Sequence, residues 1–280
     1  MGKDNLFVVQ IRKRSFNKCR KVTHMRPKLE EVCEMALNAG EILRDGFGKL
    51  KSLKLKREID VVTEIDRKSE KFLIGEIKSK FPGHHIIAEE SGETIGDVER
   101  KWYIDPLDGT TNFAHNLPIF SVSIAYAEKD QIVLGVVYDP MRDELFSAEK
   151  GGGAKLNGVP IFVGKESELN KSVLVTGFPY DRFTNEDNNL DNFNRLATKI
   201  RGIRRLGSAA LDLCYVAANR VNGYWEIRME TWDLAAGMLI AQEAGAKVTK
   251  RDGSLDMLNP PINVIAANPL LHQKFLENIV

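Results

Sequence analysis

From Pro27 to Phe47 apolar and small residues recur at three- and four-residue intervals, at Leu29, Val32, Cys33, Ala36, Leu37, Gly40, Leu43 and Phe47. That spacing gathers them on one face of a helix, with Pro27 near its start and Gly46 near its stop. Thr63 to Phe81 repeats the period, with Ile65, Phe72, Leu73 and Ile77 facing inward and Asp66 in the first turn, where the helix dipole favours a carboxylate. Between these helices Gly48–Ile59 is Lys-rich and weakly apolar and reads as a mobile flap or hairpin. The period then shortens to that of strands at Ile86–Ala88, Trp102–Ile104, Ile119–Ala127 and Ile132–Tyr138, with Glu128–Gln131 as the hairpin turn between the last two. His84-His85, just after Pro82-Gly83, is placed in a surface turn.

Gly151-Gly152-Gly153 has neither the GK[ST] ending of a P-loop nor the spacing of GxGxxG, and reads as hairpin punctuation before Asn157-Gly158. Asn157–Lys171 is polar and irregular, a junction between two lobes. Beyond it come a strand at Ser172–Thr176, helices over Glu186–Ile200 and Ser208–Ala218, a strand at Tyr224–Ile227 and a helix over Asp233–Ala244. Strands at Ala246–Thr249 and Asn263–Ala267 and a C-terminal helix complete the chain. Strands and helices alternate without a clean βαβ repeat, which points to an α+β fold. The expected division is a basic N-terminal extension over 1–26, an α+β lobe over 27–160 and an α/β lobe over 161–280.

Composition narrows the function classes. The 280 residues are 43% hydrophobic and 28% charged, ample for a buried core and ordinary for a globular chain. A formal charge of +1 argues against a dominant nucleic-acid surface, and no apolar run approaches the roughly 20 residues of a membrane span. Cys19, Cys33 and Cys214 are scattered and in no CxxC pair, which disfavours a disulfide framework or zinc site and suits the cytoplasm. Residues 1–25 carry seven Lys or Arg and one Asp, and read as a disordered tail or as sequence upstream of a working start at Met25. The alternative is a transit peptide.

The chemistry concentrates in acidic residues from separate parts of the chain: Glu89-Glu90, the run Asp105-Pro106-Leu107-Asp108-Gly109-Thr110-Thr111-Asn112, and Trp232-Asp233. Carboxylates in turns at the ends of apolar segments suit hard divalent cations, and magnesium takes oxygen ligands with one or two carboxylates and fills its shell from a phosphate. Three such sites with a Thr hydroxyl beside them suit two ions and an attacking water, the arrangement of in-line phosphoryl transfer to water. Tyr103-Ile104 reads as the end of a buried strand, stopped by Pro106, so that Asp105 and Asp108 curl toward one point with the Leu107 carbonyl free. Gly109 permits a turn closed to other residues and lets its N–H approach a phosphate.

Glu89-Glu90-Ser91, the DPLDGTTN run at 105–112 and Trp232-Asp233 resemble the inositol monophosphatase family of magnesium-dependent, lithium-sensitive phosphatases. Asp60-Val61-Val62-Thr63 with Asp66, and Gly207-Ser208-Ala209-Ala210-Leu211-Asp212-Leu213, fit the same pattern, and the resemblance runs from about Leu29 to the C-terminus. It implies a layered αβαβα sandwich with the metal site between lobes. Glu89, Asp105 and the Leu107 carbonyl would hold one magnesium, and Asp105, Asp108 and Asp233 a second, the ions about 3.5–4 Å apart. A third ion, or manganese in magnesium's place, is compatible with it. Thr110 paired with Asp66 would activate the water, the Gly109 and Thr110 N–H groups would cradle the phosphate, and Asp108, Ala209 and Glu226 would contact the rest of the substrate.

The implied substrate is a small phosphorylated polyol or sugar such as inositol monophosphate, and the implied assembly a homodimer. Related activities on fructose bisphosphate, nucleotide bisphosphates or histidinol phosphate remain open. The basic knot of Arg201, Arg204 and Arg205 would read a second phosphate or a partner subunit, or form a solvated face. A rival of another class is a regulatory protein on this fold that binds a transcription or RNA partner.

Overall fold

The computed structural model describes residues 26–49, 53–55 and 61–279. Its helices are α1 (Leu29–Gly46), α2 (Glu64–Lys80), α3 (Thr110–Ala114), α4 (Leu190–Ala197), α5 (Ala209–Ala217), α6 (Thr231–Glu243) and α7 (Pro269–Leu276). Within the Lys-rich segment expected as a flap or hairpin, β1 (Leu53–Leu55) pairs antiparallel with β2 (Val61–Thr63); residues 50–52 and 56–60, Asp60 among them, lie outside the described residues, as do 1–25. A large sheet is built from β3 (His84–Ala88), β4 (Gly92–Thr94), β5 (Asp97–Asp108), β6 (Ser121–Glu128), β7 (Gln131–Asp139), β8 (Glu144–Glu149), β9 (Ala154–Leu156) and β10 (Val159–Pro160). Its order is β10-β9-β8-β7-β6-β5-β3-β4, and only the β3–β5 pair is parallel. A smaller sheet joins β11 (Val173–Thr176), β12 (Gly202–Arg204), β13 (Gly223–Met229), β14 (Lys247–Thr249) and β15 (Ile262–Ala267) in the order β12-β11-β13-β15-β14.

The apolar faces dictate the stacking. Val32, Met35 and Leu43 of α1 and Leu73 and Ile77 of α2 pack on Ile104, Ile124 and Val136 of the large sheet. Helices α5 and α6 fill the space between the sheets, where Leu211, Leu213, Leu234 and Ile240 meet Ala125, Val137 and Phe146 on one side and Tyr224, Val264 and Ala266 on the other. The outer face of the small sheet, with Leu174, Trp225 and Ile265, is covered by Leu196 of α4 and by Leu271 and Phe275 of α7. The result is the αβαβα sandwich. Because layers cover both faces, β6 is buried along nearly its whole length, as sandwiched sheets require. The central α6 is buried from Leu234 to Ala241, which only an all-round apolar helix tolerates.

Several sequence expectations are corrected. Pro106 does not stop its strand: Asp105 pairs with Ser123 and Asp108 with Ser121, so β5 continues through a bulge in which the residue lacking an N–H donor goes unpaired. His84 and His85 are not in a surface turn but buried at the start of β3. Trp102 donates its indole N–H to His84 Nδ1 at 3.1 Å, and His84 stacks on Phe81 and Tyr126; Pro82-Gly83 is itself the turn. The helix expected over Glu186–Ile200 shrinks to Leu190–Ala197. Asn189 sits at φ 71°, and its amide donates to Thr176 Oγ1 and the Gly177 carbonyl while its oxygen accepts from Trp225 Nε1. That buried knot pulls the preceding chain off the helix axis.

Candidate active site

The bulge of β5 builds the centre of the site. Asp105, 3% exposed, accepts the Leu107 N–H at 2.9 Å, and the Pro106 carbonyl accepts from Ser69 of α2 at 3.0 Å. Gly109 then takes φ 101°, in the left-handed region, and starts α3. A Cβ there would stand 3.0 Å from the Ile119 carbonyl and 3.2 Å from that of Gly207, so the position requires glycine for space as well as conformation.

Thr110 lies one residue on, and its hydroxyl is 2.9 Å from both the Leu107 carbonyl and Asp66 Oδ1. Asp66 reaches it from the first turn of α2. There its other oxygen accepts from the Thr63 N–H at 3.0 Å and from the Thr63 hydroxyl, a capping box. The Asp66 residue is fully buried, and burial pushes its pKa upward against these hydrogen bonds.

Asp105 is crowded by acids. Its carboxyl is held well above the usual range by burial first, then by the charges of Glu89, Asp108 and Asp233 and a hydrogen bond with Glu89. Asp233 is raised by burial and by Asp108 and Glu89. It occupies the first turn of α6, where its Oδ2 accepts the Glu230 N–H at 3.1 Å. Trp232 beside it packs into the central core, and its carbonyl accepts from Ser123.

Asp108 turns toward the N-terminus of α5. Its Oδ1 accepts from Ala209 N–H at 3.1 Å, and its Oδ2 from Ala210 N–H at 2.9 Å, Ser208 Oγ at 2.5 Å and Ser121 Oγ at 3.3 Å. No three His, Cys, Asp or Glu side chains among the described residues stand as a ready metal cluster. The donor set is nonetheless one that fits magnesium: carboxylate and carbonyl oxygens only, with Asp105, Leu107 and Asp108 buried and Glu89 and Asp233 half-buried, the carboxylates repelling one another until a cation neutralises them.

On the small sheet, the half-buried Glu226 of β13 accepts the Tyr224 hydroxyl at 2.5 Å. Burial pushes its pKa up to about 7, a rise that the Tyr224 hydrogen bond and Arg205 restrain. Ala209, also expected at the substrate, spends its N–H on Asp108. The basic knot divides: Arg205 lies near enough to act on Glu226 and Asp212, Arg201 acts on Glu166, and Arg204 bonds the Ile203 carbonyl.

The structure thus gathers Glu89, Asp105, Asp108 and Asp233, joins Thr110 to Asp66, and sets Glu226 within the electrostatic reach of Asp108. Sequence reasoning did not single out Thr63, Ser69, Ser121 or Ser208 as partners of the acids. Of these only Thr63 and Ser208 carried a signal, as helix N-caps. Asp212, quoted there only as part of the 207–213 motif and given no role, is 1% exposed, and its Oδ1 has no hydrogen-bond partner among the described residues. The Gly151–Gly153 turn does bind an anion, this chain's own Glu243, through the N–H groups of Gly151 and Gly153 at 2.8 and 2.9 Å.

A sequence model of the inositol monophosphatase family matches residues 24–280. The chain is 46% identical over 253 residues to an inositol-1-monophosphatase of Synechocystis, covering 89% of this chain and 87% of that protein. It is 43% identical over 258 residues to the Nus factor SuhB of Pasteurella multocida, covering 91% and 96%. Among solved structures, the inositol monophosphatase of Anabaena superposes with a TM-score of 0.81 at 44% identity, covering 89% of this chain and 94% of that one.

Proposed function

The chain belongs to the inositol monophosphatase family, and from that premise we propose that it is a magnesium-dependent phosphomonoesterase acting on inositol monophosphate or a similar polyol or sugar phosphate. The observation that carries this reading is the burial of Asp105 among Glu89, Asp108 and Asp233. Such a group of like charges is costly in a protein interior unless a cation offsets it. Glu89, Asp105, the Leu107 carbonyl, Asp108 and Asp233 would hold two magnesium ions. For Asp108 and Asp233 this means exchanging their present N–H and hydroxyl donors for metal. When bound, the ions supply a more acidic water and charge stabilisation for the transferring phosphoryl group.

The chain's own groups do the rest. Thr110 shares one hydroxyl proton between two acceptors, Asp66 and the Leu107 carbonyl. Turning it wholly to Asp66 releases the Leu107 carbonyl, and the Thr oxygen, whose lone pairs are available in either orientation, accepts from water, so a proton leaving that water is relayed through the hydroxyl to Asp66. Burial makes Asp66 a stronger proton acceptor than an exposed carboxylate. The Gly109 and Thr110 N–H groups would receive the phosphate, and Glu226 two hydroxyls of the polyol.

A bisphosphate substrate is a second reading, favoured by one observation: Arg205 acts on Glu226, so a phosphate on the far side of the polyol would meet a guanidinium. A transcription partner, suggested by relatives named Nus factor SuhB, is a third. Turnover of a panel of phosphate monoesters and bisphosphates, with magnesium and with chelator, decides between the first two. Absence of magnesium-dependent turnover of every ester would refute the enzymatic proposal.

A further inference from the structure

Gly177 follows the last residue of β11, and no motif or composition signal marks it. A Cβ built on it would fall well inside contact distance of the Glu226 Cδ and of both its carboxylate oxygens. The Glu226 carboxylate therefore lies on the bare backbone of Gly177, with the Tyr224 hydroxyl 2.5 Å from its Oε2.

The backbone at Gly177 cannot retreat from this contact. Its carbonyl accepts from Asn189 Nδ2 at 2.7 Å, and the preceding Thr176 hydroxyl donates to the Trp225 carbonyl at 2.9 Å. The Trp225 indole N–H closes the ring on Asn189 Oδ1 at 2.8 Å. These are buried hydrogen bonds among groups with no alternative partner in water, which makes them costly to break. The loop from Gly177 to Asn189 is fastened a second time to the same strand. Asp181 pairs with Arg228 at 2.5 Å, and Arg228 is turned outward at φ 59° by the bulge between Ile227 and Met229. Gly177 is thus a fixed wall, and Glu226 is the side chain that would have to move.

The geometry points to Gly177 as a positioning residue that sets substrate selectivity: the missing side chain is what allows Glu226 to hold its carboxylate where a polyol's hydroxyls bind. This rests on the polyol phosphate reading given above. A methyl at 177 displaces the Glu226 carboxylate without touching Asp105, Asp66 or Thr110. The enzyme then shifts its preference from polyol esters toward phosphate esters that carry no vicinal hydroxyls.

The test measures kcat and KM with magnesium for myo-inositol 1-phosphate and for p-nitrophenyl phosphate. For Gly177→Ala the ratio of kcat/KM between polyol and aryl ester should fall about tenfold or more, through KM of the polyol ester, as loss of hydrogen bonds to a charged group implies. In a Glu226→Asp background, where the shortened acid leaves room for a Cβ, the same substitution should cost much less. A selectivity ratio within twofold of wild type overturns the assignment, as does an equal cost in both backgrounds, which would mean that Gly177→Ala acts through the fold. If Gly177→Ala alone is too unstable to assay, Gly177→Ala with Glu226→Asp must recover folding, and failure to do so also overturns it. A wild-type enzyme with no preference for the polyol ester refutes the polyol reading itself, whereas a wild-type preference that survives Gly177→Ala refutes only the role of Gly177.

Discussion

Replacing Asp105 with Asn changes no side-chain volume but removes the most crowded charge of the site, so activity and stability should part company. Turnover is expected to vanish in steady-state assays, while thermal unfolding without magnesium should occur at the same or a higher temperature than wild type, because a buried, repelled carboxylate is gone. Thr110→Val and Asp66→Asn test a different link. Each should lower kcat by roughly 10²–10⁴, the range of positioned acid–base groups, with little change in KM. The double variant should be barely worse than the worse single one, since the two share the 2.9 Å hydrogen bond and act as a unit. Full activity of Asp66→Asn at saturating magnesium would reduce Asp66 to its other visible role, the capping box of α2.

Two helices carry predictions of their own. The first turn of α6 presents Asp233, and near the opposite end Glu243 is gripped by the Gly151 and Gly153 N–H groups. Glu243→Ala should cost about 1–2 kcal/mol in urea unfolding, the scale of partly exposed hydrogen bonds to a charged group. Helix α7 buries His272, whose Nε2 is 3.1 Å from Thr249 Oγ1 of β14. Burial, then the charge of Lys247, lowers its pKa from 6.5 to about 4. The unfolded chain therefore binds a proton in this window that the folded chain refuses, so this contribution to stability is complete above pH 6.5 and is lost as pH falls toward 4. The raised acids Asp105 and Asp233 work in the opposite sense, gaining stability as pH falls. Only the difference between wild-type and His272→Gln stability profiles isolates the His272 effect, and a flat difference from pH 7 to 4 would contradict it.

Across the whole molecule, the site joins parts of the chain that are far apart in sequence. Asp108 is bound by Ser208, Ala209 and Ala210, and Asn112 donates to the carbonyls of Ile119 and Leu206. A ligand that binds the folded site alone must stabilise both halves: magnesium at about a hundred times its Kd should add roughly 2.7 kcal/mol. The expected signature is a melting temperature that rises with magnesium, falls back with chelator, and responds little in Asp105→Asn. The sequence by itself determined the helices over 29–46 and 64–80, the central strands, and the acidic runs, because apolar periodicity and turn chemistry are local properties legible without the fold. It could not reveal that β5 passes through Pro106 as a bulge, since only the pairing of β6 decides whether a proline ends a strand. Three-residue strands such as β4, β9 and β12 were invisible because they are too short to show a period. Tertiary structure alone decided that His84 is buried, that Asp108 faces α5, and that Glu226 rests on Gly177. Each of these depends on which remote backbone comes within contact distance, which no pattern of neighbours along the chain encodes.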